Sequence, residues 1–338
     1  MAVTPFGTRA PGVEIDVGTA VGHDDASMVD YLRRHQISRR SFMKYCGALA
    51  GVLALPRMPY AEAIARALAA PTRLPVIWLN GQDCNGNIES FLRSSDPTFT
   101  QLILDKLSLN YTELIMAPSG ATAEHLREQT VAAGGYVCVV DGAIPTGANG
   151  AYACIGGRAH ADIVKEAVKN AIATVAVGTC AFEGGLPAAK GGVTGALGVR
   201  DLVGPGPKIV ALPGCPMNAE NLTATFVHYL TFDAWPATDK LDRPLFAYGS
   251  TIHDHCPRRE HFEEGRFVRA WGDKGHQLGW CLRYMGCQGP ETRGNCPVVK
   301  WNSGTSWPVN AGMQCLSCTT PDFWDAKGGF YKHRKGDD

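Results

Sequence analysis

The last third of the sequence concentrates side chains that could bind a metal. Their order and spacing are His253-x2-Cys256, Cys281-x5-Cys287, Cys296 and Cys315-x2-Cys318. Thiolates are the main ligands of iron–sulfur clusters, and imidazole is a known substitute. The seven divide into four and three: a four-iron cluster could take His253, Cys256, Cys281 and Cys287, and a three-iron cluster could take Cys296, Cys315 and Cys318. Zinc is the rival metal, but it would leave the three cysteines of the second group unused.

The elements that must position further ligands lie between Leu74 and about Phe232. Apolar runs with the length and β-branched content of buried parallel strands occupy 74–79, 113–116, 136–140, 173–177 and 208–212. Segments with apolar residues at helical intervals lie between them, at 100–107, 121–132 and 159–171. This alternation predicts an α/β fold with a flavodoxin-like, doubly wound parallel sheet.

Three more cysteines follow predicted strands. Cys84 comes after the first strand, Cys180 after the fourth and Cys215 after the fifth, while Asp141 follows the third. Sheets of this kind place functional groups beyond the carboxyl ends of their strands, so these side chains should converge. Glycines near each cysteine would let the backbone approach a bulky inorganic group. A third cluster is the resulting hypothesis, and three unrelated buried cysteines are the alternative.

Two other cysteines receive different interpretations. Cys138 lies within an apolar strand and is predicted to be a core residue. Cys154 lies in a loop-like segment, and its surroundings do not assign it as a ligand.

The beginning of the chain has the pattern of an export signal. Ser38-Arg39-Arg40-Ser41-Phe42-Met43-Lys44 is a twin-arginine motif, and the apolar stretch 46–55 follows it. That stretch is too short to span a bilayer, which needs about 20 apolar residues. Ala67-Leu68-Ala69 offers a cleavage site, so the mature protein should begin near Ala70. The twin-arginine route carries folded proteins, which suits a chain that receives clusters before export to the periplasm or the outer face of the cytoplasmic membrane.

Composition narrows the classes of protein. Net charge is +0, with 19% charged and 45% hydrophobic residues, so no basic excess points to nucleic acid or an anionic membrane surface. A disulfide framework would be usual for an exported, cysteine-rich chain. However, removing the signal takes one of the 12 cysteines and leaves an odd number. Nothing after Ala70 resembles a transmembrane segment, so membrane association is expected only through a partner.

Taken together, these motifs resemble one family, the small subunit of nickel–iron uptake hydrogenases. The resemblance covers essentially the whole chain and is carried by the order and spacing of its pieces. They are the twin-arginine leader, Trp78-Leu79-Asn80-Gly81-Gln82-Asp83-Cys84, Gly178-Thr179-Cys180-Ala181, Gly214-Cys215-Pro216, His253-Asp254-His255-Cys256-Pro257-Arg258-Arg259, Gly279-Trp280-Cys281, Gly286-Cys287-Gln288-Gly289-Pro290, Asn295-Cys296-Pro297 and Ala311-Gly312-Met313-Gln314-Cys315-Leu316-Ser317-Cys318.

The resemblance implies three segments along the sequence and three iron–sulfur clusters. Residues 1–69 would be the signal peptide, 70–235 the flavodoxin-like domain, and 236–338 a smaller, mostly irregular iron–sulfur domain. A proximal [4Fe-4S] cluster would bind Cys84, Cys180 and Cys215. A medial [3Fe-4S] cluster would bind Cys296, Cys315 and Cys318, and a distal [4Fe-4S] cluster would bind His253, Cys256, Cys281 and Cys287.

The expected activity depends on a partner. In the family, hydrogen is split at a nickel–iron centre in a large subunit, so no catalytic residue is expected in this chain. Electrons would pass from the proximal to the medial to the distal cluster, and then to a cytochrome or quinone-linked acceptor. An iron–sulfur carrier for a different large subunit, as in respiratory complex I, and a zinc-stabilised exported binding protein are the alternatives.

The sequence departs from the family pattern at the proximal cluster. The family has Cys-x-x-Cys after the first strand, whereas here the motif is Cys84-Asn85-Gly86-Asn87. A neutral amide is a weak ligand compared with a thiolate. The fourth ligand could therefore be Asn87, the carboxylate of Asp83, or water or hydroxide. Asp141 stands where many relatives carry Glu.

Overall fold

The computed structural model describes residues 25–95 and 97–327. Two compact units divide the chain: one consists of Met1–Thr72 with Thr223–Pro236, and the other of Arg73–Leu222 with Ala237–Asp338. Residues 1–24 of the predicted signal peptide and 328–338 of the predicted C-terminal domain lie outside the described residues.

The helices and strands occur in the following order along the chain. The α-helices are α1 (Asp25–Arg34), α2 (Arg39–Val52), α3 (Arg57–Ala69), α4 (Gly86–Leu92), α5 (Phe99–Gln101), α6 (Gly120–Ala133), α7 (His160–Asn170), α8 (Gly178–Glu183), α9 (Gly185–Ala188), α10 (Val199–Val203), α11 (Ala219–Phe232), α12 (Leu245–Tyr248), α13 (Arg259–Glu263), α14 (Lys274–Gln277) and α15 (Cys296–Val299). The strands are β1 (Leu74–Asn80), β2 (Leu107–Thr112), β3 (Val137–Asp141), β4 (Ile144–Pro145), β5 (Cys154–Ile155), β6 (Arg158–Ala159), β7 (Ala173–Val177), β8 (Ala196–Leu197) and β9 (Ile209–Leu212). Short 3-10 helices occupy Gly147–Gly150, His253–His255 and Arg283–Met285, and π-helical turns occupy Leu102–Lys106 and Phe323–Lys327.

A five-stranded parallel sheet organises the second unit. Its strands lie in the order β2-β1-β3-β7-β9, and each neighbouring pair is parallel. Numbered among themselves, the five strands follow the order 2-1-3-4-5, which is the flavodoxin-like arrangement. The predicted fold class is confirmed, and β1, β3, β7 and β9 match the predicted strands closely.

The second strand lies where the sequence did not predict it. The predicted strand at 113–116 is wrong, because those residues form a turn in which Leu114 and Ile115 are 43% and 38% exposed. The second strand is instead β2, which begins at Leu107. The predicted helix at 100–107 is present only as α5 and the π-helical turn that follows it. In β2, apolar and polar residues alternate, and pairing with β1 decides the conformation.

The core of the sheet domain is formed by residues on the strands and on α7. Ile77, Cys138, Val140 and Val164 are each 0% exposed within one apolar cluster. Burial raises the pKa of the Cys138 thiol to about 12, so the thiol is neutral and behaves as an apolar group. The structure therefore places Cys138 in the core, as its position in an apolar strand predicts.

The first unit contains the residues of the predicted export signal. Arg39 and Arg40 lie in the first turn of α2, whose N-cap Ser38 accepts a hydrogen bond from the Ser41 N–H at 3.1 Å. Helices α2 and α3 bury Leu49 and Ile64, among other residues. No helix in the described part of the chain is both long and apolar enough to cross a membrane.

The part of the second unit after Ala237 is built mainly from turns. Ile252, Val268, Leu282, Trp307 and Val309 form its buried apolar cluster. Four cysteines pack against this cluster, and all belong to the predicted metal ligands: Cys256, Cys287, Cys296 and Cys315. With so little regular structure, the positions of these loops depend on the cysteines and on what the cysteines bind.

Replacing Cys138 tests whether it is a core residue or a ligand. We expect Cys138→Ser to leave the iron content of the assembled enzyme unchanged and to lower the free energy of unfolding by about 1–3 kcal/mol, because a hydroxyl enters an apolar core. Thermal unfolding and iron analysis are the measurements, with Cys138→Ala as the control that adds no polar group. Loss of iron in both variants would contradict the core role.

Candidate metal centres

The proximal group of cysteines lies at the carboxyl edge of the sheet. Cys84 follows β1, Cys180 lies in α8 directly after β7, and Cys215 follows β9. Burial and, to a smaller extent, the nearby thiols of Cys215 and Cys84 raise the pKa of the Cys180 thiol to about 12. Cys84 and Cys215 are exposed in this chain, whereas Cys180 is half-buried. The three thiols that the strand pattern predicted to converge are therefore neighbours.

Two glycines make room for these thiols. A Cβ at Gly86 would lie 3.1 Å from the Cys84 Sγ, and one at Gly185 would lie 2.6 Å from the Cys180 Sγ. Gly185 also has a φ of +49°, in the left-handed region that favours glycine. The backbone thus lies unusually close to both sulfurs, as a tightly enclosed inorganic group requires.

Asn87 is held by protein contacts on both sides of its amide. Its Nδ2 donates to the Asp141 Oδ1 at 2.7 Å and to the Val177 carbonyl at 3.3 Å, and its Oδ1 accepts from the Met217 N–H at 2.8 Å. The side chain is buried at 6% exposure. In this arrangement the amide links three segments of the sheet edge rather than pointing an unused oxygen at the thiols.

The half-buried Asp83 and the buried Asp141 form a carboxyl pair beside Asn87. Burial and, second to it, the nearby Asp83 charge raise the pKa of Asp141 to about 7, while the hydrogen bond from Asn87 opposes the shift. Burial likewise raises the pKa of Asp83, whose carboxylate accepts from the Asn85 N–H at 3.1 Å. Asn87 and Asp83, the two side chains predicted as possible fourth proximal ligands, are therefore both engaged in hydrogen bonds within the protein.

The predicted distal ligands line one pocket. His253, Cys256, Cys281 and Cys287 all contribute to the lining of this pocket, together with apolar residues such as Ile252 and Val309. The Arg258 N–H donates to the Cys256 Sγ at 3.4 Å, and the Arg283 N–H donates to the Cys281 sulfur. Backbone N–H groups directed at sulfur stabilise a thiolate and tune the potential of a cluster that it holds.

The sulfurs of the predicted medial ligands have hydrogen-bond donors beside them. The Trp301 side chain donates to Cys296, and the Thr292 hydroxyl, which donates to the Gln288 carbonyl at 2.7 Å, lies beside the Cys315 sulfur. The Cys315 sulfur also accepts from the backbone N–H of Ser317, a fully buried residue with φ +76°. Burial raises the pKa of all three thiols to about 12, so iron must displace their protons on binding. These donors were not predicted, because their spacing in the sequence carries no signal.

The predicted ligands fit iron–sulfur groups in kind. They are nine thiols and one imidazole, and thiolates are the ligands that such clusters prefer. Among the residues that the structure describes, no three or more His, Cys, Asp or Glu side chains are grouped tightly enough to hold a single metal ion. The fit therefore rests on the sulfur donors and on the glycines that admit them.

Two family models match the chain, one for each part of the second unit. The model for the C-terminal part of the NiFe/NiFeSe hydrogenase small subunit matches residues 248–331. The model described as the NADH ubiquinone oxidoreductase 20 Kd subunit matches residues 84–229, which include most of the parallel sheet.

Curated relatives match over most of the chain. The periplasmic [NiFe] hydrogenase small subunit 1 of Nitratidesulfovibrio vulgaris is 42% identical over 315 residues, which cover 93% of this chain and 99% of the relative. The hydrogenase-2 small chain of Escherichia coli K12 is 41% identical over 300 residues, or 88% of this chain and 80% of the relative.

A solved structure agrees with the sequence relatives. A chain of the reduced, active Ni-Fe-Se hydrogenase from Desulfomicrobium baculatum aligns with a TM-score of 0.72 and 32% identity, covering 78% of this chain and 100% of that one.

The chain belongs to the small subunits of nickel–iron hydrogenases. It is the electron-transfer subunit of a hydrogenase, carries iron–sulfur clusters and pairs with a nickel–iron large subunit. The predicted family is confirmed. Membership of this family excludes the two alternatives, an iron–sulfur carrier for a different large subunit and a zinc-stabilised exported binding protein.

Enlarging Gly185 tests the proximal site. We expect Gly185→Ala to lose the iron bound beside Cys180, because the new methyl group would overlap the sulfur. Gly120→Ala is the matched control, since Gly120 has a similar φ of +57° but no atom within 4 Å of an added Cβ. Iron and sulfide analysis with EPR spectroscopy is the measurement. Full iron content in Gly185→Ala would contradict a cluster at this edge.

Proposed function

We propose that the chain relays electrons from hydrogen oxidation through three iron–sulfur groups in the order proximal, medial, distal. The observation that carries this proposal is the position of the medial cysteines between the other two sets. Cys318 is a close neighbour of Cys215 in the proximal set, and Cys315 is a close neighbour of Cys287 in the distal set. The backbone N–H of Gln288, next to Cys287, also donates to the Cys315 carbonyl at 2.8 Å.

The ligand sets support different cluster types. Cys84, Cys180 and Cys215 would hold a proximal [4Fe-4S] cluster whose fourth iron takes an oxygen ligand. Cys296, Cys315 and Cys318 would hold a [3Fe-4S] cluster, which three thiolates suit. His253, Cys256, Cys281 and Cys287 would hold a distal [4Fe-4S] cluster, and its imidazole ligand should raise the potential relative to four thiolates.

The large subunit is proposed to cover the sheet edge that carries the proximal cysteines. Cys84 and Cys215 are exposed in this chain, and so are the apolar side chains of Leu114, Leu186 and Val193 near the same loops. Contact with the nickel–iron partner would remove this apolar surface from water.

Export of the chain and its electron acceptor are proposed from the sequence and the relatives. The twin-arginine motif favours export, with 1–69 as the signal and 70–235 and 236–338 as the two domains of the mature chain. Relatives include a periplasmic and a quinone-reactive hydrogenase small subunit. We therefore place the mature heterodimer in the periplasm or at the outer face of the cytoplasmic membrane, with a cytochrome or quinone-linked acceptor.

Replacing the distal histidine tests the order of the relay. In the heterodimer, His253→Ala should keep hydrogen–deuterium exchange near the wild-type rate and slow dye reduction, because His253 would ligate only the group furthest from the nickel site. His255→Ala is the matched control from the same 3-10 helix and should change neither rate. Equal loss of both activities in His253→Ala, with the other clusters intact, would contradict the order.

Introducing a thiolate at Asn87 tests the proximal ligand set. Asn87→Cys should lower the proximal potential, because a negative thiolate would take the place of a neutral oxygen ligand, such as water, on the fourth iron. Asn87→Ala is the control: it loses the same hydrogen bonds to Asp141 and Met217 but adds no ligand. Potentiometric EPR measures the shift. A proximal three-iron cluster in anaerobic wild-type enzyme, identified by Mössbauer spectroscopy, would contradict the oxygen-ligated four-iron form.

A further inference from the structure

One hydroxyl group joins the loops that carry the proximal and medial cysteines. The Thr179 Oγ1 accepts from the Gly214 N–H at 3.1 Å and donates to the Cys318 carbonyl at 2.5 Å. Thr179 precedes Cys180, and Gly214 precedes Cys215, so the two residues that this hydroxyl links to the Cys318 carbonyl both adjoin proximal ligands. Thr179 is 1% exposed, and its own N–H donates to the Gly214 carbonyl at 2.9 Å. Water therefore has no access to replace the hydroxyl.

The same junction brings the two ligand sets close together. The backbone N–H of Cys215 lies near the sulfur of Cys318, and the two thiols are near enough for the charge of one to affect the pKa of the other. From the Cys215 sulfur, three covalent bonds lead through Cβ and Cα to this nitrogen, so only the short space between this nitrogen and the Cys318 sulfur interrupts a bonded route. Bonded and hydrogen-bonded atoms transmit electrons better than gaps between non-bonded atoms.

A second buried hydroxyl holds the proximal loop from the other side. Tyr248 is 1% exposed, and its hydroxyl donates to the Pro213 carbonyl at 2.8 Å. Its ring lies beside the thiols of Cys296 and Cys318. Pro213 immediately precedes Gly214, so Thr179 and Tyr248 both fix the chain that leads into Cys215.

We propose that Thr179 is a positioning residue for electron transfer: by joining Gly214 to the Cys318 carbonyl, its hydroxyl holds the Cys215 backbone close to the Cys318 sulfur and so shortens the route between the proximal and medial groups. One electron leaves the reduced group at Cys84, Cys180 and Cys215 and enters the oxidised group at Cys296, Cys315 and Cys318, and no covalent bond forms or breaks. Hydrogen oxidation in the large subunit supplies the electron. This inference rests on the proposed ligand sets.

The experiment compares two substitutions of Thr179 in the assembled heterodimer. Thr179→Val keeps the volume but removes the hydroxyl, and Thr179→Ser keeps the hydroxyl. Thr174→Val is the matched control, because the buried Thr174 hydroxyl has no hydrogen-bond partner among the described residues. After a pulse of hydrogen, freeze-quench EPR follows reduction of the proximal and medial groups separately, and potentiometric EPR gives the medial potential.

We expect medial reduction in Thr179→Val to slow on the order of tenfold, with proximal reduction unchanged and a shifted medial potential. Thr179→Ser and Thr174→Val should behave as wild type. A wild-type medial rate in Thr179→Val, or equal slowing in Thr179→Ser, would overturn the role of the hydroxyl. If Thr179→Val does not assemble, Tyr248→Phe tests the same junction: slowed medial reduction is expected, and a wild-type rate would overturn the proposal. Absence of a medial signal in wild-type enzyme would instead refute the ligand sets.

Discussion

Parallel pairing of the strands is the constraint on which the sites depend. Because β1, β3, β7 and β9 run in the same direction, their carboxyl ends meet at one edge. Residues far apart in sequence, such as Cys84 and Cys215, then become neighbours without any local motif joining them. The rest of the second unit, which has little regular structure, is anchored to this edge through contacts such as that of Thr179 with Cys318.

Hydrogen-bond donors help the buried thiols to ionise, which proximity to one another does not do. Buried thiols resist ionisation, as the raised pKa of Cys180 and of the medial cysteines indicates. N–H groups directed at sulfur oppose that effect, and they come from residues such as Leu186, Trp301 and Ser317. Without iron, the protein thus favours neutral thiols. Once iron is bound, the same hydrogen-bond donors stabilise the thiolates.

Sequence reasoning reached the fold because buried strands leave short-range signals. Apolar runs predicted four of the five strands, whereas the three ligand sets that the cysteine positions suggest stay a prediction. The strand β2 was missed, since its alternating pattern is outweighed in the sequence by the apolar residues Leu114 and Ile115. The contacts of Asn87 and Thr179 were beyond sequence reasoning, because each depends on three segments that only the folded sheet edge brings together.

The link between Thr179 and Cys318 also bears on how the protein is made. The two residues are 139 positions apart in the chain, whereas the last strand of the sheet already ends at Leu212. Contacts between distant residues form late in folding, because the intervening chain must first be ordered. The sheet edge can therefore take shape during synthesis, while the junction closes only after the loops beyond Ala237 have been made. The proximal cysteines would then be brought together before the medial cysteines.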